Sequence, residues 1–245
     1  MVLYDVPLFP LRTVLFPKMI LPLHIFEPRY HQMINECVRD NQPFGVVLLD
    51  EGPEAKQDEE GNELSDKPPI LHRVGTLAKI ADVTRLEDGR MLINSVGTER
   101  FRLLDHRENK PFMTGDIEIW PEGEVDAASP DLQSLVDQIT QVFQSYLEIL
   151  MELAHQSISL DIPDDFMILS YLIPHWLPQI ELEDKQKLLE VADPVARLNQ
   201  ELLLLMRETE FLNKIKQRAE QDAQNEEAES QNPPGYNITR RFSAN

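Results

Sequence analysis

His24, Glu27 and His31 fall close together and have the nearest claim of any side chains here to metal chemistry, as two imidazoles and a carboxylate. Their spacing crosses a predicted strand-to-helix corner. None of the six histidines forms His-Glu-x-x-His or another of the close pairs that zinc takes. A half-buried His24 and a surface His31 account for the same residues without a metal. The single cysteine, Cys37, lies on the apolar face of a predicted helix, where a buried thiol is inert. Ser95, Ser129, Ser145 and Ser157 never stand in Gly-x-Ser-x-Gly, and no local pattern marks a Ser–Lys dyad. No Gly-Lys dipeptide exists for a P-loop, and nine scattered glycines hold no dinucleotide fingerprint. The expectation is a chain with no catalytic residue, no metal and no cofactor. The alternative is a hydrolase whose polar residues converge only in three dimensions.

Two further clusters invite a binding role. Trp176 stands beside Pro174 and Pro178 with Tyr171 and Phe166 near, which reads first as the core of a helix corner and second as a recognition pocket. The stretch from Asp50 to Asp66 also carries Glu51, Glu54, Asp58, Glu59, Glu60 and Glu63 against one lysine. It reads as a solvated face that could also attract a basic partner.

The elements that must position these residues follow from proline, glycine and periodicity. Prolines at 7, 10, 17, 22 and 28 interrupt an apolar run that starts almost at Met1. Proline fixes φ and removes a ladder donor, so the run becomes two short strands, about 8–15 and 19–25, and then a helix opened by Pro28. Tyr30, Met33, Ile34, Cys37 and Val38 recur at helical spacing over 28–39. Strands are expected at 44–49, from 74, at 92–96, at 99–104 and at 113–120, with Asp88-Gly89 turning a hairpin through a primed turn. An exposed acidic loop is expected over 50–69. Eight of the nine glycines lie at or before Gly123, so turns give way there to helices. Ser129-Pro130 starts a long amphipathic helix. A second spans 165–173, a third 182–191, and Asp193-Pro194 caps a fourth, making a bundle. The expected division is a β domain at 1–124, a helical bundle at 125–216 and a disordered acidic tail at 217–245.

A net charge of −20 over 245 residues argues against nucleic acid and anionic lipid as partners. One cysteine fits a reducing cytosol, no basic leader precedes a cleavage site, and no uninterrupted apolar run is long enough to span a bilayer. A cytoplasmic protein without a membrane segment is expected.

Several motifs in order resemble the Lon substrate-binding domain family. They are Pro7-Leu8-Phe9-Pro10-Leu11-Arg12-Thr13-Val14-Leu15-Phe16-Pro17 and Leu21-Pro22-Leu23-His24-Ile25-Phe26-Glu27-Pro28-Arg29-Tyr30, followed by Val74-Gly75-Thr76-Leu77-Ala78-Lys79-Ile80. Val96-Gly97-Thr98-Glu99-Arg100-Phe101 and Leu182-x-Asp184-Lys185-Gln186-x-Leu188-Leu189-Glu190 complete the set, from about residue 5 to 212. The resemblance implies an α+β fold, a PUA-like partly closed β-barrel followed by an α-helical bundle. It also implies recognition of unfolded or extended polypeptide, as an adaptor or holdase with a protease or chaperone as partner. In the family's full protease an ATPase and a Ser–Lys peptidase module follow this region. This chain ends where they would begin, so ATP-driven proteolysis by it alone is not expected, even where similarity attaches that label. The motifs are mostly prolines, glycines and apolar residues that build a barrel. Contact is therefore sought in exposed groups at the first helix: Glu27, Arg29, His31 and Gln32. Backbone N–H groups and alternating charges there suit an extended peptide beside a strand edge, and suit a solvated helix start equally. A scaffold for one folded partner is a further alternative. Arg240-Arg241-Phe242 reads as a docking tag or a plain chain end.

Overall fold

The computed structural model describes residues 1–51, 69–156 and 161–231. Six strands come first: β1 (Val2–Leu11), β2 (Ile20–Ile25), β3 (Phe44–Glu51), β4 (Ile70–Arg85), β5 (Met91–Arg107) and β6 (Thr114–Ile119), with helix α1 (Pro28–Asp40) between β2 and β3. The sheet order is β2-β5-β4-β3-β1-β6, and β5 also pairs with β6, so β1, β3, β4, β5 and β6 form a closed ring. Only β1 and β3 run parallel, because the chain crosses over through β2 and α1 between them. Alternation along each strand sorts side chains to two faces. Leu8, Val47, Leu77 and Phe101 fill the barrel with Val6, Leu103, Met113 and Ile117. Their neighbours Phe9, Val46 and Ala78 point outward into a second, larger core. At Gly75 a Cβ would lie 2.3 Å from the Val46 carbonyl oxygen, so the β3–β4 crossing requires glycine there.

Three local expectations need correction. The first strand occupies 2–11 rather than 8–15, since residues after Leu11 turn away toward Pro17. The strands expected at 92–96 and 99–104 are one continuous β5. In the hairpin, Gly89 N–H donates to the Leu86 carbonyl at 3.1 Å, and Gly89 alone has positive φ, 90°. That is a turn closed by a left-handed glycine, not a primed turn in which Asp88 also adopts positive φ.

Length gives β5 its special role. One edge carries β4, while the other carries β2 along its first half and β6 along its second. The outer parts of β4 and β5 therefore project beyond the ring, with β2 on their far side.

The bundle comprises α2 (Pro130–Leu153), α3 (Phe166–His175), α4 (Leu182–Leu189) and α5 (Pro194–Gln231). Asp165 Oδ1 accepts from the Met167 and Ile168 amides, and Asp193 Oδ1 from those of Val195 and Ala196, so both helix starts are capped by side chains. Ser129 precedes α2 with no side-chain cap bond. Residues 217–231, expected to be disordered, continue α5 as helix. The reason is local: this stretch is rich in Glu, Gln and Ala and reaches no Gly or Pro before Pro233. Residues 52–68, most of the expected acidic loop, and residues 232–245 lie outside the described residues; Asp50 and Glu51 belong to β3. The larger core runs unbroken from Phe9, Ile25 and Met33 to Phe143, Leu169 and Leu205, so barrel face and bundle pack as one body.

Candidate functional site

Glu27 is the last residue before α1, with φ −76° and ψ 134°. Its carbonyl accepts from the amides of Tyr30 and His31 at 3.1 and 3.0 Å, closing the first turn opened by Pro28. The Glu27 side chain is only 6% exposed. Arg29 donates from Nε to Glu27 Oε2 at 3.0 Å and from Nη2 to Oε1 at 3.4 Å, a fork-to-fork pairing. The Arg29 guanidinium also lies 4.3 Å over the Tyr30 ring, which stacks on Phe9 at 4.0 Å. His31 Nε2 lies 3.1 Å from the Ile25 carbonyl oxygen, to which the ring donates. Gln32 is exposed and donates to Glu36 at 2.9 Å.

Glu27 is therefore not among the exposed groups the sequence suggested. Its carboxylate is folded under Arg29, and Arg29 and His31 are half-buried and already engaged. Only Gln32 stands fully at the surface. Gln32, and then Lys110, hold the Glu36 carboxyl below its usual value by hydrogen bonding. Burial pushes the Cys37 thiol up to about 12, where a thiolate is not available at neutral pH. Among the described residues no three His, Cys, Asp or Glu side chains are grouped to hold a metal ion.

A pocket of about 220 Å³ opens beside this corner. Phe9 and Leu11 of β1 form one wall, Leu23 to Phe26 another, and Glu27 and Tyr30 complete it. Its lining is mostly apolar and aromatic, with the exposed His24 and one buried carboxylate paired to Arg29, which suits an apolar side chain. Of the four residues named from sequence, only Glu27 lines it. Phe9, Leu11 and Tyr30 were missed, although period-two alternation places Phe9 and Leu11 on one face of β1.

A second polar cluster was also missed. Arg100 of β5 and Arg197 of α5 have no exposed side-chain surface, and both meet Glu122, at 2.6 Å and 3.0 Å. Arg100 Nη1 donates to the Leu189 and Val191 carbonyls at 2.7 Å each, and Arg197 donates to Ser170 Oγ and Val191 O. The Tyr171 hydroxyl donates to Glu122, and Arg197 lies 4.4 Å over the Tyr171 ring. Burial lowers the Arg100 guanidinium and raises the Tyr171 phenol, while the Glu122 carboxylate opposes the first shift. Strand, linker and three helix segments are thus bolted together beneath Trp120, over which Arg100 and Arg102 stack at 4.7 and 4.1 Å. The cluster fixes how the bundle sits on the barrel. Tyr171 is buried, and Trp176 packs half-buried against the same core.

Comparisons with known proteins converge. Residues 5–207 match the family described as the ATP-dependent protease La (LON) substrate-binding domain. The Lon protease of Syntrophus aciditrophicus is 27% identical over 227 residues, covering 88% of this chain and 27% of the relative. The Lon protease of Koribacter versatilis is 26% identical over 229 residues, covering 91% and 27%. The chain thus spans 27% of the length of these curated relatives. A Lon N-terminal domain protein from Xanthomonas campestris, solved by crystallography, aligns with a TM-score of 0.57 at 25% identity, covering 82% of this chain and 98% of that one. The N-terminal domain of Mycobacterium avium complex Lon protease shares the fold, with a TM-score of 0.54 at 17% identity over 84% and 98% of the two chains.

Proposed function

This chain belongs to the Lon substrate-binding domain family, and from that membership we propose that it is a non-catalytic polypeptide-recognition module acting as an adaptor or holdase. The family match, which spans both the barrel and most of the bundle, carries the reading. The apolar pocket at the β2–α1 corner supports it, because such a lining suits side chains that folded proteins keep inside and unfolded chains expose. Its clients are unfolded or extended segments, and its working partner is a protease or chaperone that receives them. Arg29, His31 and Gln32 form the polar rim of the contact surface, and Glu27 holds Arg29 in place. No helix among the described residues is long and apolar enough to cross a membrane, and the cytoplasm is the proposed compartment.

Binding of the purified chain to an unfolded model polypeptide, beside the same polypeptide in its native form and at two salt concentrations, tests this. Micromolar binding confined to the unfolded form is expected, weakened by salt to the extent that charge contributes. Binding to neither form would turn the role toward one dedicated folded partner.

A further inference from the structure

Among the described residues, strand β2 has a neighbouring strand on one side only. It pairs with β5, and among the described residues no strand pairs with its other edge. The register fixes which backbone groups look outward. Gly97 N–H donates to the Met19 carbonyl at 2.9 Å, which turns that carbonyl toward β5, and alternation along the register places the backbone groups of Leu21, Leu23 and Ile25 toward β5. Ile20, Pro22 and His24 therefore direct their backbone groups away from the sheet, and all three are exposed. Pro22 contributes a carbonyl but no donor, which leaves the amides of Ile20 and His24 as the two donors on this edge.

The edge adjoins the pocket, since His24 belongs to both. Lys18 stands exposed just before β2 with its amide bonded to the Gly97 carbonyl, β2 and the paired segment 91–96 carry no carboxylate, and Glu27, which lines the pocket, is already paired with Arg29.

Resting on the polypeptide-recognition reading above, we propose that this edge takes an extended segment of the client as an added strand. One large apolar side chain of the segment enters the pocket of Phe9, Leu11, Leu23 and Tyr30, and flanking carboxylates of the segment lie toward Lys18 at the start of the strand. Strand addition supplies affinity through main-chain hydrogen bonds without regard to sequence, while the pocket and the local charge select acidic–apolar segments. Pro22 limits the open edge to a few bonds, so the same device that discourages two copies from joining edge to edge leaves room for a short client segment.

The test uses fluorescence anisotropy with three labelled, unstructured peptides binding the full chain. The first has one Leu or Phe flanked by Asp and Glu, the second has Lys at the flanks, and the third is the first with alternate backbone amides N-methylated. The first should bind, the lysine peptide should bind at least several-fold more weakly, and N-methylation should cost about tenfold or more, because two or more hydrogen bonds are lost. His24→Pro, which removes an edge donor, should weaken the first peptide by more than His24→Ala, which keeps that donor and changes only the pocket-lining side chain. The peptide arm stands by itself if the proline variant does not fold. Equal binding of the N-methylated peptide would overturn strand addition while leaving polypeptide recognition intact. Equal binding of the lysine peptide would overturn the charge selection. Failure of every peptide and of the unfolded model polypeptide would overturn both this proposal and the reading on which it rests.

Discussion

Two carboxylates inside this molecule stand in opposite situations. Glu122 is shared between two fully buried guanidiniums, Arg100 and Arg197. Replacing it with Gln leaves two unneutralised cations in the interior, and the cost should be about 3 kcal/mol or more in urea unfolding; a loss within error would show that solvent reaches the cluster. Glu201 is wholly buried, and neither of its oxygens has a hydrogen-bond partner. Burial raises its carboxyl well above 4.5, with Arg197 opposing. Below pH 4.5 both folded and unfolded chains hold this proton. Above it the unfolded chain releases the proton first, so stability falls as pH rises, by up to about 1.4 kcal/mol per pH unit. Glu201→Gln should lack this slope, and its stability should diverge from wild type as pH rises above 4.5; parallel curves would overturn the assignment. Neither site was legible in the sequence. Arg100 appears there as one residue of a strand motif and Glu122 as one of several acids in a linker. Only tertiary packing brings positions 100, 122 and 197 together. The pocket was half legible, because Phe9 and Leu11 share a strand face by alternation but Tyr30 reaches them from a helix.

At the scale of elements, the long helix α5 makes a separate prediction. Its apolar side, with Leu198, Leu202, Leu205 and Leu212 buried, ends near residue 212. The helix nevertheless runs to Gln231, 38 residues in all and roughly 57 Å long. A chain cut after Lys216 should lose helical circular dichroism yet unfold at nearly the same temperature, since stability comes from the packed face rather than from propensity. A clear drop in Tm would mean that the last turns contact the body. By contrast, Asp165→Ala removes a cap that accepts two amides of α3 and should cost about 1 kcal/mol in the same assay. Helices were legible because apolar residues recur at three and four, and the helical course of 217–231 was not, because charge there outweighs the apolar pattern while helix propensity persists. In the sheet, Gly97 made β5 look like two strands. A Cβ there would lie 2.4 Å from the Phe16 carbonyl oxygen, so this glycine marks a close approach within a continuous strand. The open edge of β2 was not legible: Pro22 removes one ladder donor, but Pro10 does the same in β1, which is paired on both sides.

For the whole molecule, the question is whether barrel and bundle behave as one unit. The sequence divides them by composition, with glycine-rich strands first and glycine-free helices after. Packing joins them. The larger core passes from α1 and the outer barrel face into α2, α3 and α5. Gln186 of α4 donates to the Val74 carbonyl of β4 at 3.0 Å, and the Arg100–Glu122–Arg197 cluster crosses the same boundary. Separating the parts would expose one apolar surface and strand two buried cations, so unfolding should be a single cooperative transition. The two tryptophans are placed to test this, with Trp120 beside the barrel and Trp176 in the bundle. In Trp120→Phe the remaining Trp176 reports the bundle, and in Trp176→Phe the remaining Trp120 reports the boundary where Arg100 joins barrel to bundle. The fluorescence transition of each in urea should coincide with the far-ultraviolet transition of the same variant. An earlier change at Trp176 would mean that the bundle opens from a barrel that stays folded. The corner of β2 and α1 would then be carried by the barrel alone, and polypeptide binding should survive in the urea range where only the bundle has opened.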